Sequence, residues 1–208
     1  MKIISPKEVS GIFSDSVKKS FNFLYPIFRV YKLADKTGQY YCVFAESRDS
    51  IGTQKDTFNR NIQAILFRIG NPSLQKVWEL NDHVSKELSE ETIWFWTKYS
   101  RFDDLDHDSI ADPIIVYGTS GLDGSDDSRV KILIYYKGKK IAIRHQNSTL
   151  DEARGTEIDK SFYDLPKIIQ DSVIHTMQLL KKNQLTIFPN DWQVGMSKKK
   201  TSISESHH

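Results

Sequence analysis

The chain contains one cysteine, Cys42, in 208 residues. A lone cysteine excludes an internal disulfide framework and any zinc site built from several thiolates. No apolar run approaches the roughly 20 residues a helix needs to cross a bilayer. The opening "MKIISPKEVS" also lacks the apolar stretch of a secretion signal. From these absences we expect a reduced, cytoplasmic protein with no membrane association. Charge of one sign is scarce too: 29 Lys and Arg against 27 Asp and Glu leave a net charge of +2. A protein that coats nucleic acid is far more basic, so contact of that kind would have to come from a local patch. No serine sits in a G-x-S-x-G elbow, and no histidine pair has the i, i+4 spacing of a helical metal site. No repeat of solenoid length is visible.

What is present suits one domain with a real core, since 38% of residues are hydrophobic and 12% aromatic. We expect that domain to span residues 1–194, followed by a disordered polar and basic tail over 195–208. Ser5 to Ser20 has helical spacing, with Pro6 in the first turn. "IFRVYKLA" and "QYYCVFAE" flank the turn "DKTG" and predict a hairpin. Pairing Ala34 with Gln39 sets Val30 opposite Val43 and Tyr31 opposite Cys42, so both faces are largely apolar. Thr53 to Ile69 predicts a helix with Phe58, Ile62, Ile65 and Ile69 as its stripe. Ser73 to Tyr99 predicts two more.

A second hairpin joins "RVKILIYY" to "KIAIRHQ". With Gly138 and Lys139 as its two-residue loop, Tyr136, Ile134 and Ile132 face Ile141, Ile143 and His145. Phe162 to Lys182 predicts a final amphipathic helix with Pro166 in its first turn. The fold class expected from these elements is α+β, an antiparallel sheet built from two β-hairpins with amphipathic helices packed on it.

Five stretches carry chemistry. In "GTSGLDGSDD", Gly118, Gly121 and Gly124 have neither the spacing nor the following helix of a phosphate loop, so a mobile connection between strands is expected. In the 103–112 acidic cluster, Asp104, Asp106 and Asp108 have the alternate spacing of the first calcium-loop ligands. Ser109 and Ile115 stand where that loop needs glycine and glutamate, leaving a possible divalent cation as the sole cofactor. Asp35 followed by Glu46-Ser47-Arg48 resembles the Asp and Glu-x-Lys set of restriction-endonuclease-like nucleases. That resemblance implies metal-dependent hydrolysis with Asp35, Glu46 and Arg48 as catalytic candidates, although Arg48 stays protonated where the pattern has lysine.

The second hairpin places Lys131, Lys137, Lys139, Lys140 and Arg144 around Tyr135, a basic ridge able to contact phosphates and stack on a base. Trp94, Trp96 and Tyr99 offer an aromatic docking surface if they remain exposed. The function expected is a non-catalytic binding protein that uses the basic hairpin face on nucleic acid or an acidic protein partner. The alternative is a metal-dependent hydrolase, most plausibly a nuclease, using Asp35 and Glu46 or the acidic cluster.

Overall fold

The computed structural model describes residues 1–51, 57–71, 73–121 and 127–205. The chain falls into two compact units. The first comprises Met1–Val84, Glu91–Trp94 and Ser109–Ala111. The second comprises Ser85–Glu90, Phe95–Asp108 and Asp112–His208.

In the first unit, β1 (Lys2–Ile3), β2 (Ile27–Asp35), β3 (Gly38–Glu46), β6 (Asn61–Ile69) and β7 (Leu74–His83) form one antiparallel sheet, ordered β1-β2-β3-β6-β7. The predicted register of the first hairpin is the observed one, with Ala34 opposite Gln39, Val30 opposite Val43 and Tyr31 opposite Cys42. Short strands β4 (Ser50–Ile51) and β5 (Thr57–Phe58) pair separately. The expected helix Ser5–Ser20 is two helices, α1 (Pro6–Ile12) and α2 (Asp15–Ser20). Ser5 and Glu8 form a capping box at the start of α1. The chain breaks at Phe13, whose fully buried ring packs against Phe23, Tyr41 and Phe67.

The helix expected over Thr53–Ile69 is not formed: its described part contains β5 and β6. The six residues from Ile62 to Phe67 are all buried, so β6 is covered on both faces. A continuous apolar run of that length satisfies helical and strand patterns alike, and tertiary pairing with β3 and β7 decides. The two helices expected over Ser73–Tyr99 are likewise β7 and β8 (Glu90–Phe95). The aromatic and β-branched run "TIWF" carried the strand signal that the acidic start at Glu90 masked.

A second antiparallel sheet has six strands, ordered β13-β12-β11-β10-β9-β8. It adds β9 (Ile114–Gly121), β10 (Ser128–Tyr136), β11 (Lys139–Asn147), β12 (Gly155–Ile158) and β13 (Ser202–Ser204). The second hairpin is present, but its loop is Lys137-Gly138, both at positive φ, and Tyr136 pairs with Lys139. Moving the loop by one residue shifts every partner by two: Ile134 faces Ile141, Ile132 faces Ile143 and Val130 faces His145. An even shift keeps each side chain on its expected face.

The final helix starts later than expected, as α3 (Lys167–Lys182), because Leu165 before Pro166 is held in extended backbone. A 3-10 turn over Lys160–Asp164 precedes it. The described part of the expected disordered tail is ordered: α4 (Trp192–Ser197) leads to β13, where buried Ile203 lies against Gly195. The strand is also held by the Ser202 hydroxyl on Glu157 and by Glu205 on Arg154.

The α+β expectation is therefore corrected. The described residues are mostly β, forming among them three antiparallel sheets, none closed into a barrel, with helices as minor elements. Among the described residues no helix is long and apolar enough to cross a membrane.

Candidate anion-binding cleft on the second sheet

Register determines what the basic hairpin offers. Across β10 and β11, Arg129 pairs with Gln146, Lys131 with Arg144, Leu133 with Ala142 and Tyr135 with Lys140. Paired residues share a face, so these eight side chains lie on one side of the sheet. Leu133, Tyr135 and Ala142 are buried, and they interrupt the expected ridge. Tyr135 is thus unavailable for base stacking. Lys137 and Lys140 stand at the loop end, and Lys139, opposite Tyr136, belongs to the other face. Lys137 Nζ lies 3.1 Å from Asp108. The Tyr136 hydroxyl and Asp108 together raise the lysine pKa.

The other cluster is at the far end of the hairpin. Arg144 pairs with Glu157 on β12, Gln146 with Gly155, and Gly155 with Ser204 on β13. A cavity of about 520 Å³ opens there, lined by Arg129, Lys131, Arg144, Arg154, Glu152 and Glu157. Gly155 also lines it, and a Cβ at that position would meet nothing nearer than the Ile203 carbonyl at 3.9 Å. The missing side chain keeps the cleft open.

Its cations are held in different ways. Arg129 donates through Nε and Nη2 to Glu90 at 2.5 and 2.7 Å. Glu90 also accepts from the Thr119 hydroxyl at 2.8 Å and the Ser85 N–H at 2.6 Å. Arg144 Nη1 lies 2.7 Å from Asp159 with its side chain half exposed. Lys131 sits over the Tyr117 ring at 5.8 Å. Arg154 is buried, pairs with Asp151 and Glu205, and its Nε has no hydrogen-bond partner among the described residues. Lys131 faces Arg144 directly across the ladder, and Arg144 is in turn paired with Asp159 and stands opposite Glu157 on β12.

Behind the sheet, His145 Nδ1 meets Thr156 Oγ1 at 2.9 Å and its ring packs on Phe188. Burial, with a contribution from the Arg154 charge, depresses its pKa to about 4, so the imidazole is neutral at pH 7.

The nuclease set is not assembled. Asp35 ends β2 at the turn, while Glu46 ends β3 at the opposite end of the same hairpin, roughly 26 Å away by strand rise. Asp35 caps the turn, accepting from the backbone N–H of Thr37, Gly38 and Ala111 at 2.7, 3.2 and 3.2 Å. Burial pushes its pKa up, but those bonds and the Thr37 hydroxyl outweigh it and leave the pKa lowered. Glu46 is buried against the Asn59 amide at 3.3 Å. Arg48 holds its backbone at φ 51° with its N–H on Asn59 Oδ1.

The acidic cluster does converge: carboxylate oxygens of Asp104, Asp106 and Asp108 lie within 4.8 Å of one another. The Tyr136 hydroxyl donates to Asp106 at 2.9 Å. Neighbouring Asp112 is buried, and burial plus the charges of Asp106 and Asp108 raise its pKa despite the Leu105 N–H.

The aromatic docking surface is not presented as expected. Trp96 is buried against Gly118, while Trp94 and Tyr99 are half-buried. The Tyr99 hydroxyl accepts from Asn183 at 2.9 Å. Gly118 and Gly121 belong to β9, and Gly124 lies outside the described residues.

Sequence reasoning missed Arg129, Glu90, Gln146, Arg154, Gly155 and Glu157. Alternation alone would have put Arg129 beside Lys131. The β12 residues join the site only through long-range pairing, which leaves no local signal. Comparison of the chain with protein-family models, with curated proteins and with solved structures finds no match.

Proposed function

We propose that this is a non-catalytic binding protein whose second unit contacts the phosphates of a nucleic acid through the cleft between β10, β11 and β12. The observation that carries this is Lys131 directly opposite Arg144, with Arg129 two residues along, lining one cavity. Guanidinium groups hold phosphate oxygens through paired N–H donors, and Asp159 orients Arg144 through Nη1. A recessed cluster suits a phosphate chain better than a flat acidic protein surface. The slight net charge implies modest affinity with a strong salt dependence.

Fluorescence anisotropy with labelled oligonucleotides across a salt series tests the proposal. Binding should fall steeply with salt, be indifferent to EDTA, and weaken further in Lys131→Glu. Absence of binding at low salt refutes it. Binding of an acidic polypeptide in its place would assign the cleft to a protein partner.

The convergence of Asp104, Asp106 and Asp108 supports a second reading, a metal-dependent hydrolase using a divalent cation at that cluster. Calorimetric titration with magnesium and calcium should then show heat that disappears in Asp106→Asn. Magnesium-dependent cleavage of an oligonucleotide should disappear with it.

A further inference from the structure

Apart from Arg154, whose charge is held by Asp151 and Glu205, the cations of the cleft stand on one side. Arg129 and Lys131 stand on β10 and Arg144 on β11. One strand further, Glu157 on β12 faces Arg144, and Glu152 stands in the short 3-10 turn before β12. Glu157 Oε1 accepts from the Ser202 hydroxyl at 2.6 Å, while Oε2 accepts nothing among the described residues.

A site for bare phosphate has no use for carboxylates at its margin, because they repel the ligand. A carboxylate facing a sugar is a different matter, since it accepts hydrogen bonds from hydroxyls, as acidic side chains do with ribose in dinucleotide sites. Adjacent strands lie about 4.8 Å apart, a separation that a phosphate and the hydroxyl of its own ribose can bridge. The open position at Gly155, two residues from Glu157 on β12 and opposite Gln146, leaves room for the sugar ring beside that row.

The geometry points to a ribonucleotide unit as the ligand of this cleft, with its phosphate on Lys131 and Arg144 and its ribose 2′-hydroxyl on Glu157. This rests on the nucleic-acid reading above and deepens it: the protein distinguishes RNA from DNA by the 2′-hydroxyl, not by base sequence. Single strands are preferred, because a nucleotide entering a recess must leave the helical stack.

Anisotropy with fluorescein-labelled oligouridine RNA, its 2′-O-methyl form and oligodeoxyuridine tests this on the full chain. RNA should bind about tenfold more tightly than DNA, the effect of one charge-assisted hydrogen bond. The 2′-O-methyl form should bind like DNA. Glu157→Gln should narrow the RNA preference while leaving DNA affinity unchanged or slightly improved. Gly155→Val, which fills the opening with a residue suited to a strand, should weaken both probes. Should Gly155→Val lose its circular-dichroism signature, Glu157→Gln alone decides. Equal affinity for RNA and DNA, or an RNA preference untouched by Glu157→Gln, overturns the ribose assignment and leaves the phosphate reading standing. No binding of any probe overturns both.

Discussion

Replacing Arg129 by methionine removes the guanidinium beside Glu90 while keeping most of the side-chain volume. The Glu90 side chain has 0% exposure and that of Arg129 20%, so the carboxylate left behind has little access to water. Deleting one partner of a buried ion pair costs about 3–5 kcal/mol. One feature lowers that figure. Glu90 keeps the Thr119 hydroxyl and the Ser85 N–H, which offset part of the loss. We expect Arg129→Met to lose about 3 kcal/mol in urea denaturation followed by circular dichroism at pH 7. The double variant Glu90→Met/Arg129→Met should recover most of it, because no charge is left buried. A loss at pH 7 below about 1 kcal/mol, or a double variant no better than the single one, refutes the assignment of Glu90 as a buried carboxylate that depends on Arg129.

His145 has a folded pKa of about 4 against an ordinary 6.5, so the folded state disfavours its proton. Its contribution is complete above pH 6.5 and is lost as pH falls toward 4, about 3 kcal/mol in all. Urea midpoints across that range should fall for the native protein and flatten for His145→Gln; parallel profiles refute the assignment. Gly118→Ala would put a Cβ 2.5 Å from Trp96 Cζ2 and 2.9 Å from the Arg129 carbonyl. The crowding should destabilise the protein by about 1–3 kcal/mol, and a neutral outcome in the same assay contradicts the close packing. Cys42 is fully buried, and burial raises its thiol pKa well above normal, so a thiol reagent should label it only after denaturation. Prompt labelling of the native protein counts against its place in β3.

Some of this protein was legible in its sequence because local chemistry was sufficient. The turn "DKTG" and its flanking strands specified both the first hairpin and its register, since a two-residue loop between long strands leaves little choice. The second hairpin was equally visible, but Gly138 could serve at either loop position, and only the structure placed Lys137 with it at positive φ. The apolar stripe of α3 was visible too, with its start settled by Pro166.

Where several local structures satisfied one pattern, tertiary pairing decided. "IQAILF" fits a helix stripe or a strand buried on both faces, and its neighbours β3 and β7 made it a strand. The site divides in the same way. Lys131 and Arg144 could be picked out by alternation, because their hairpin is local. Glu157, Gly155 and Arg154 reach them only when β12 pairs with β11, and Glu90 reaches Arg129 from 39 residues away. Asp35 and Glu46, close in sequence and matching a catalytic pattern, were set at opposite ends of one hairpin by the same strand geometry that made the hairpin predictable. Sequence determined which segments turn and which residues are charged; the pairing of distant strands, which depends on burial summed over the whole sheet, decided which charges meet.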